Sequence, residues 1–231
     1  MKKLSQAIVL AGAMTAGLTA VQTAQAEISA SVDLASMYLW RGQNLGNGAA
    51  VVSGSLDYAN ESGLYAGAWM SSGDSKAGSE TDLYVGFAGA VGDFGYDLGY
   101  ATYIYSETAD DEFDDLADFY VGLSYDIASV MFYKPSDFDA DGLYTVLGVD
   151  IPDTSFSVAL GNYSDIEAEK KDKDGKGTGV YYDDSYTHLD VTYAYNDSIA
   201  FTVSKIVDEA TEDAQDKSMR YVVSYSLPIE M

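Results

Sequence analysis

The sequence predicts an all-β fold: a transmembrane antiparallel β-barrel of about twelve strands in an up-and-down meander. Three observations carry this. After residue 26 almost every segment alternates apolar and polar residues with a period of two, as one-sided strands do. Most of these segments run about nine to eleven residues, the length a tilted strand needs to cross a bilayer. The connections alternate short and long, which a soluble sandwich has no reason to do. An outer-membrane barrel does so because its periplasmic turns are short and its outer loops long.

The elements follow in order. Residues 1–26 read as a cleaved signal peptide. Lys2 and Lys3 open it, an apolar run from Ala7 to Ala20 is too short to span a bilayer, and Ala24-Gln25-Ala26 is a small-x-small cleavage site. Residues 27–231 are expected to form one barrel domain. In its first strand Ile28, Ala30, Val32, Leu34, Tyr38 and Trp40 share one face, while Ser29, Ser31, Asp33 and Arg41 share the other. Similar segments follow at 50–59, 64–71, 81–90, 94–105, 116–125, 130–134, 143–151, 156–163, 186–195, 199–207 and 218–227. The short connections are 60–63, 91–93, 126–129, 152–155 and 196–198. The long ones are 42–48, 72–80, 106–115, 135–142, 164–185 and 208–217. An even strand number puts both termini on the periplasmic side.

Charge narrows the function. The formal net charge is −25, and loss of Lys2 and Lys3 makes the mature chain two units more negative. Such acidity repels nucleic acid and favours cations as partners. With 20 Tyr, 8 Phe and 2 Trp the chain is too aromatic for an acidic disordered segment. There is no cysteine, hence no disulfide and no thiolate metal site. Most of the 37 acidic residues fall in the long connections. Seven others lie on strands: Asp33, Asp57, Asp82, Asp97, Asp118, Asp150 and Asp190. Each is flanked by apolar neighbours of the opposite parity, such as Leu56 and Tyr58 around Asp57. All seven therefore face away from the apolar surface. Parity alone does not separate a lumen from the wet face of a sandwich; loop alternation, strand length and aromatic content favour the barrel.

On the apolar face Tyr38, Trp40, Tyr58, Phe94, Tyr195 and Tyr225 sit near strand ends, where membrane girdles are expected. A weak internal repeat pairs DLYVGF at 82–87 with DFYVGL at 118–123; a repeated hairpin unit and a shared strand composition account for it equally well.

Two segments resemble a known family. The first is S-x-x-Y-x-W-R-G in ISASVDLASMYLWRGQNLG, with Ser36, Tyr38, Trp40, Arg41 and Gly42. The second is G-x-L-D-Y-A-x-E-S-G-L-Y-A-G-x-W, from Gly54 to Trp69. Together with Asp82 to Gly86 and Tyr96 to Tyr100 they resemble the TorF-type porin family of proteobacteria, most strongly over residues 28–105. The resemblance implies an outer-membrane barrel for uptake of small solutes. The end of the chain departs from the usual barrel pattern, with Ile229-Glu230-Met231 where an aromatic final residue is usual.

Arg41 and Arg220 are the only arginines, and both have lumen parity. Because the first and last strands of a closed barrel are neighbours, the two are expected close together near the outer mouth. With the seven acids they form the expected pore lining, a small cationic spot against an acidic wall that favours cations or zwitterions. The alternative is that partners pin both arginines and they only seal the seam. Lumen-side Gly86, Gly99, Gly122, Gly148 and Gly161 are expected to leave the bore open, and inward Tyr84, Tyr103, Tyr105, Tyr120 and Tyr144 to narrow it. Lys134 and Lys205 have lipid-side parity, which suits lipopolysaccharide phosphates and which a register slip near the strand end explains equally well.

Other chemistry is weak. Asp137 to Gly142 begins like a calcium loop, but its twelfth position is Gly148. The single His188 faces the lumen beside Asp190, with no nucleophile elbow to serve. No enzyme, metal or cofactor is expected. The expected partners are small solutes, outer-membrane lipid and lipopolysaccharide, and the barrel-assembly machinery. The rival reading is a non-conducting structural or adhesive barrel acting through its acidic loops.

Overall fold

The computed structural model describes residues 27–74, 77–106, 116–171 and 176–229. The expected signal peptide, the acids at 107–115, the tip at 172–175 and the last two residues lie outside the described residues. Every regular element described is a strand. In chain order they are β1 (Glu27–Ala35), β2 (Leu39–Trp40), β3 (Gln43–Asn44), β4 (Val51–Ala59), β5 (Leu64–Asp74), β6 (Gly78–Val91), β7 (Phe94–Tyr105) and β8 (Ala117–Tyr125). Then come β9 (Ala128–Pro135), β10 (Leu143–Asp150), β11 (Phe156–Ser164), β12 (Glu167–Lys171), β13 (Gly177–Asp183), β14 (Tyr186–Ala194), β15 (Ile199–Glu209) and β16 (Arg220–Ile229).

Twelve of the strands close into a barrel, in the order β1, β16, β15, β14, β11, β10, β9, β8, β7, β6, β5, β4. β1 closes the ring by pairing antiparallel with β16 on one side and β4 on the other. Closure leaves no edge strand with unpaired backbone groups. The short connections are tight: Gly92-Asp93 alone joins β6 to β7, and Asp126-Ile127 alone joins β8 to β9. Their backbones turn through positive φ at Gly92 (64°) and Asp126 (53°).

The predicted alternation decides which side each residue faces. Along β16, Arg220, Val222, Ser224 and Ser226 turn inward and are buried. Between them Tyr221, Val223, Tyr225 and Leu227 turn outward and are exposed. Leu34, Leu56, Val85, Leu98, Val121, Leu147, Leu160 and Val203 line the outside in the same way. Polar inside and apolar outside reverses the arrangement of a soluble sandwich. It exposes far more contiguous apolar surface than a soluble monomer keeps. Of the expected girdle, Tyr58, Phe94, Tyr195 and Tyr225 do face outward and are exposed.

The structure corrects the first strand. β1 stops at Ala35, where the expectation ran it on to Arg41. Ser36 makes the last contacts to β16: its N–H donates to the Val223 carbonyl and its Oγ accepts from the Val223 N–H, both at 2.9 Å. The chain then leaves the wall and enters the barrel, so Tyr38 and Leu39 are each only 3% exposed. Tyr38 and Trp40 are therefore not girdle residues. The long connection at 164–185 carries its own hairpin of β12 and β13, and β13 is largely exposed. The segment that turns inward is 36–48.

Candidate functional site

The inward segment is a miniature hairpin. β2 and β3 pair Leu39 with Asn44 and Trp40 with Gln43, around the two-residue turn Arg41-Gly42. Both turn residues have positive φ, 46° and 80°, as a tight hairpin turn of this length needs. Gly42 meets a second requirement, since a Cβ there would collide with the His188 ring. The Leu45 N–H donates to the Tyr38 carbonyl at 3.0 Å, and Asn44 Oδ1 accepts from the Gly48 N–H at 2.9 Å. The sequence thus builds a compact turn that carries one arginine at its tip.

That arginine is held from several strands. Arg41 Nη2 donates to Asp118 Oδ2 of β8 at 2.7 Å, and both side chains are 9% exposed. Tyr103 of β7 donates to the same Asp118 oxygen at 3.0 Å. The guanidinium carbon lies 4.5 Å from the Trp40 ring centre, 4.6 Å from Tyr144, and 5.2 Å from both Tyr133 and Tyr163. Each such contact contributes about 0.5–2 kcal/mol, more where water is excluded. The Tyr186 hydroxyl donates to the Arg41 carbonyl at 2.9 Å. At the root of the hairpin, the Tyr38 hydroxyl donates to Glu80 of β6.

The surface that receives the hairpin is a tyrosine ladder. Tyr120, Tyr133, Tyr144, Tyr163 and Tyr186 are direct cross-strand partners on β8, β9, β10, β11 and β14. Successive ring centres lie 5.7, 5.9, 5.9 and 6.1 Å apart. The opposite wall is made of small polar groups, such as Ser31, Ser55, Thr202, Ser204, Ser224 and Ser226 on β1, β4, β15 and β16.

The expected pore residues separate into distinct environments. Asp118 is paired with Arg41. Asp190 accepts from His188 Nδ1 at 3.1 Å, and His188 Nε2 lies 3.0 Å from the Tyr144 hydroxyl. Asp57 accepts from Tyr84 and from Ser55 Oγ (2.7 Å for the latter), and Asp33 accepts from Ser31 Oγ at 2.7 Å. Asp97 Oδ1 accepts from Tyr65 at 2.7 Å, and Tyr65 also touches Tyr120 hydroxyl to hydroxyl at 2.6 Å. Asp150 lies at the end of β10 and is exposed. Asp82 is fully buried, and no donor among the described residues reaches either carboxylate oxygen.

Arg220 is inward and buried, but it is not in the Arg41 cluster. Its Nη2 donates to the Asp216 carbonyl at 2.8 Å, its Nη1 donates to the Ser218 carbonyl at 3.2 Å, and Nη2 pairs with the Asp216 carboxylate at 3.5 Å. The expected two-arginine spot is therefore replaced by two separate sites. The cause is the inward hairpin, which carries Arg41 away from its own strand to β8.

The expected glycine-lined opening is also corrected. The space over Gly86 is taken by Tyr65, over Gly99 by Tyr120, over Gly122 by the Met131 sulfur, over Gly148 by the Ser129 hydroxyl, and over Gly161 by His188 and Tyr144. Gly86, Gly99 and Gly161 are sockets for rings from neighbouring strands, and Gly122 and Gly148 receive smaller side chains. Lys134, expected to face lipopolysaccharide, donates to the carbonyls of Ala140 (2.7 Å) and Gly142 (3.2 Å) and so ties down its own loop. Lys205 is exposed on the outer face.

Sequence reading missed Glu80, Tyr65, Tyr133, Tyr163 and Tyr186. A signal existed for several of them: Glu80 has the parity of Asp82, and Tyr186 has that of His188 and Asp190. No group of three or more His, Cys, Asp or Glu side chains suited to a metal forms among the described residues.

Among known proteins, the KdgM porin structure aligns over 87% of this chain and 98% of its own, with a TM-score of 0.46 and 10% identity. A second KdgM structure, in complex with disordered oligogalacturonate, aligns over the same shares with a TM-score of 0.44 and 10% identity. No curated protein matches the sequence. A family profile does, over residues 19–224, and the chain accordingly belongs to Gcw_chp, described as a bacterial protein family of unknown function.

Proposed function

We propose that this chain is an outer-membrane channel through which small solutes diffuse passively, with a preference for cations or zwitterions. One observation carries the reading: a closed ring of strands with an apolar outside and a polar inside. In hydrocarbon every backbone polar group must be paired within the protein, and a closed barrel achieves that without edges. Outer-membrane lipid then surrounds the apolar face, with lipopolysaccharide around the long-loop rim. The assembly machinery inserts the chain, and both termini lie on the periplasmic side. The TorF-type resemblance of residues 28–105 agrees with this reading.

The cation preference rests on the inner wall. Asp33, Asp57, Glu80, Asp82, Asp97, Asp118 and Asp190 face inward, against Arg41 and Arg220. Arg41 is neutralised by Asp118 at close range, so its field is short. The inward acids outnumber the inward arginines and dominate the potential that a passing ion meets.

The inward hairpin and the buried tyrosine ladder favour a second reading, a non-conducting structural or adhesive barrel acting through its acidic loops. Planar-bilayer conductance of the refolded mature chain under a salt gradient separates the two. Discrete steps with a cation-selective reversal potential support the channel. Clean insertion without conductance overturns it.

A further inference from the structure

The two copies of the D-x-Y-V-G string place their aspartates alike, facing inward from β6 and β8. Asp118 meets a guanidinium. Asp82 meets no base among the described residues. No donor among the described residues reaches either of its oxygens, whose side-chain contact is the neighbouring Glu80 carboxyl, and its side chain is completely buried. The group that interacts with it most directly is another acid, Glu80, two residues earlier on the same face of β6 and equally buried. Two adjacent carboxylates shut away from water repel each other and lose their hydration.

We propose that Glu80 and Asp82 form a binding site for a hard divalent cation of the calcium class. Such an ion cancels both charges and takes oxygen ligands. Asp82 offers two oxygens that no donor among the described residues occupies. The Glu80 carboxylate is oriented by the hydroxyls of Tyr38 and Tyr105, the latter at 2.9 Å. Ser71 on β5 is the register partner of Glu80 and is buried beside it. With only two carboxylates the site is completed by hydroxyl or water oxygens, within the range such ions accept. Because Tyr38 is the root of the inward hairpin, occupancy of the site bears on how firmly the hairpin is seated. The proposal does not depend on whether the barrel conducts.

The probe is terbium(III), a calcium-class ion that emits when excited by energy transfer from an adjacent indole or phenol. Trp69 is the register partner of Asp82, and its ring lies 6.2 Å from that of Tyr38, so a bound ion sits beside two donors. Titration of the refolded full barrel in detergent is expected to show one tight, sensitised phase that calcium displaces. Asp82→Asn and Glu80→Gln should each weaken that phase at least tenfold. Asp57→Asn, whose carboxylate is already held by Tyr84 and Ser55, should leave it unchanged. Folding of each variant is checked by its heat-modifiable electrophoretic migration. Calcium should also raise the unfolding temperature of the wild type and not that of Asp82→Asn. A sensitised phase that persists in Asp82→Asn assigns binding to the acidic loops and overturns the proposal. So does a wild type with no tight phase, which would mean that the two carboxyls share a proton.

Discussion

Residues 82–87 and 118–123 read almost alike, and the barrel treats them alike as far as the backbone goes. In both, Asp, Tyr and Gly point inward while Leu83 and Val85, or Phe119 and Val121, point outward. Beyond the backbone they diverge. Asp118 pairs with an arginine delivered from residue 41 and accepts from Tyr103. Asp82 is left facing Glu80. Tyr84 reaches back to Asp57, whereas Tyr120 joins the ladder with Tyr133. The local string sets facing, and the rest of the molecule sets electrostatic environment. One buried carboxylate has been matched by a cation, and the other, among the described residues, has not.

The comparison breaks most visibly if Asp118 is made to resemble Asp82. Arg41→Ala leaves Asp118 buried without its cation and takes the guanidinium out of its cage of rings. Removing one partner of a buried ion pair costs about 3–5 kcal/mol. Thermal unfolding in detergent should show a loss of that order. The double variant with Asp118→Asn should recover part of it, because the stranded charge is gone. The hairpin would lose its main anchor as well, so conductance, where it is measured, should rise.

Neutralising each aspartate in turn sharpens the contrast. Asp118→Asn should destabilise by about 1–3 kcal/mol, since it weakens a charge-assisted bond to a guanidinium that stays buried. Asp82→Asn, measured in chelator, should be neutral or stabilising because it removes one of two repelling buried carboxylates. Opposite signs from the same chemical change are the expected outcome of paired urea titrations. Equal losses would show that Asp82 has a partner as strong as Arg41.

The glycines of the two strings extend the contrast from charge to packing. In Gly86→Ala the new methyl meets the Tyr65 phenol and also the fixed carbonyl of Leu98, while in Gly122→Ala it meets mainly the flexible thioether of Met131. Overpacking of this kind costs about 1–3 kcal/mol. The Gly86 variant should lie at the high end and the Gly122 variant at the low end, read as a difference in unfolding midpoint.

Much of the fold was legible in the sequence. The period-two pattern located the barrel strands because a strand has only two faces, and an error of one residue would put Asp97 or Asp190 on the apolar side. The alternation of loop lengths gave the meander, since antiparallel neighbours are joined by tight turns at one end. Facing was legible too, down to His188 beside Asp190. The pattern failed at residues 36–42, where Tyr38 and Trp40 keep the parity of the outer face although the chain has already left the wall. Nothing in a two-residue period records that departure. Its local mark is the Arg41-Gly42 turn, which reads equally well as the start of an outer loop.

The sequence by itself therefore determined strand number, strand direction and which side chains face in, because these follow from local periodicity and from the need to pair every backbone group. Only the tertiary structure decided which inward groups meet. Asp118 and Arg41 are far apart in sequence, the one on ring strand β8 and the other in the turn of the hairpin that follows β1. They meet because a hairpin folds across the interior onto the tyrosine ladder. That ladder in turn exists because register brings Tyr120, Tyr133, Tyr144, Tyr163 and Tyr186 level on five neighbouring strands. Register and loop path depend on the whole ring closing at once, and no single segment carries that information.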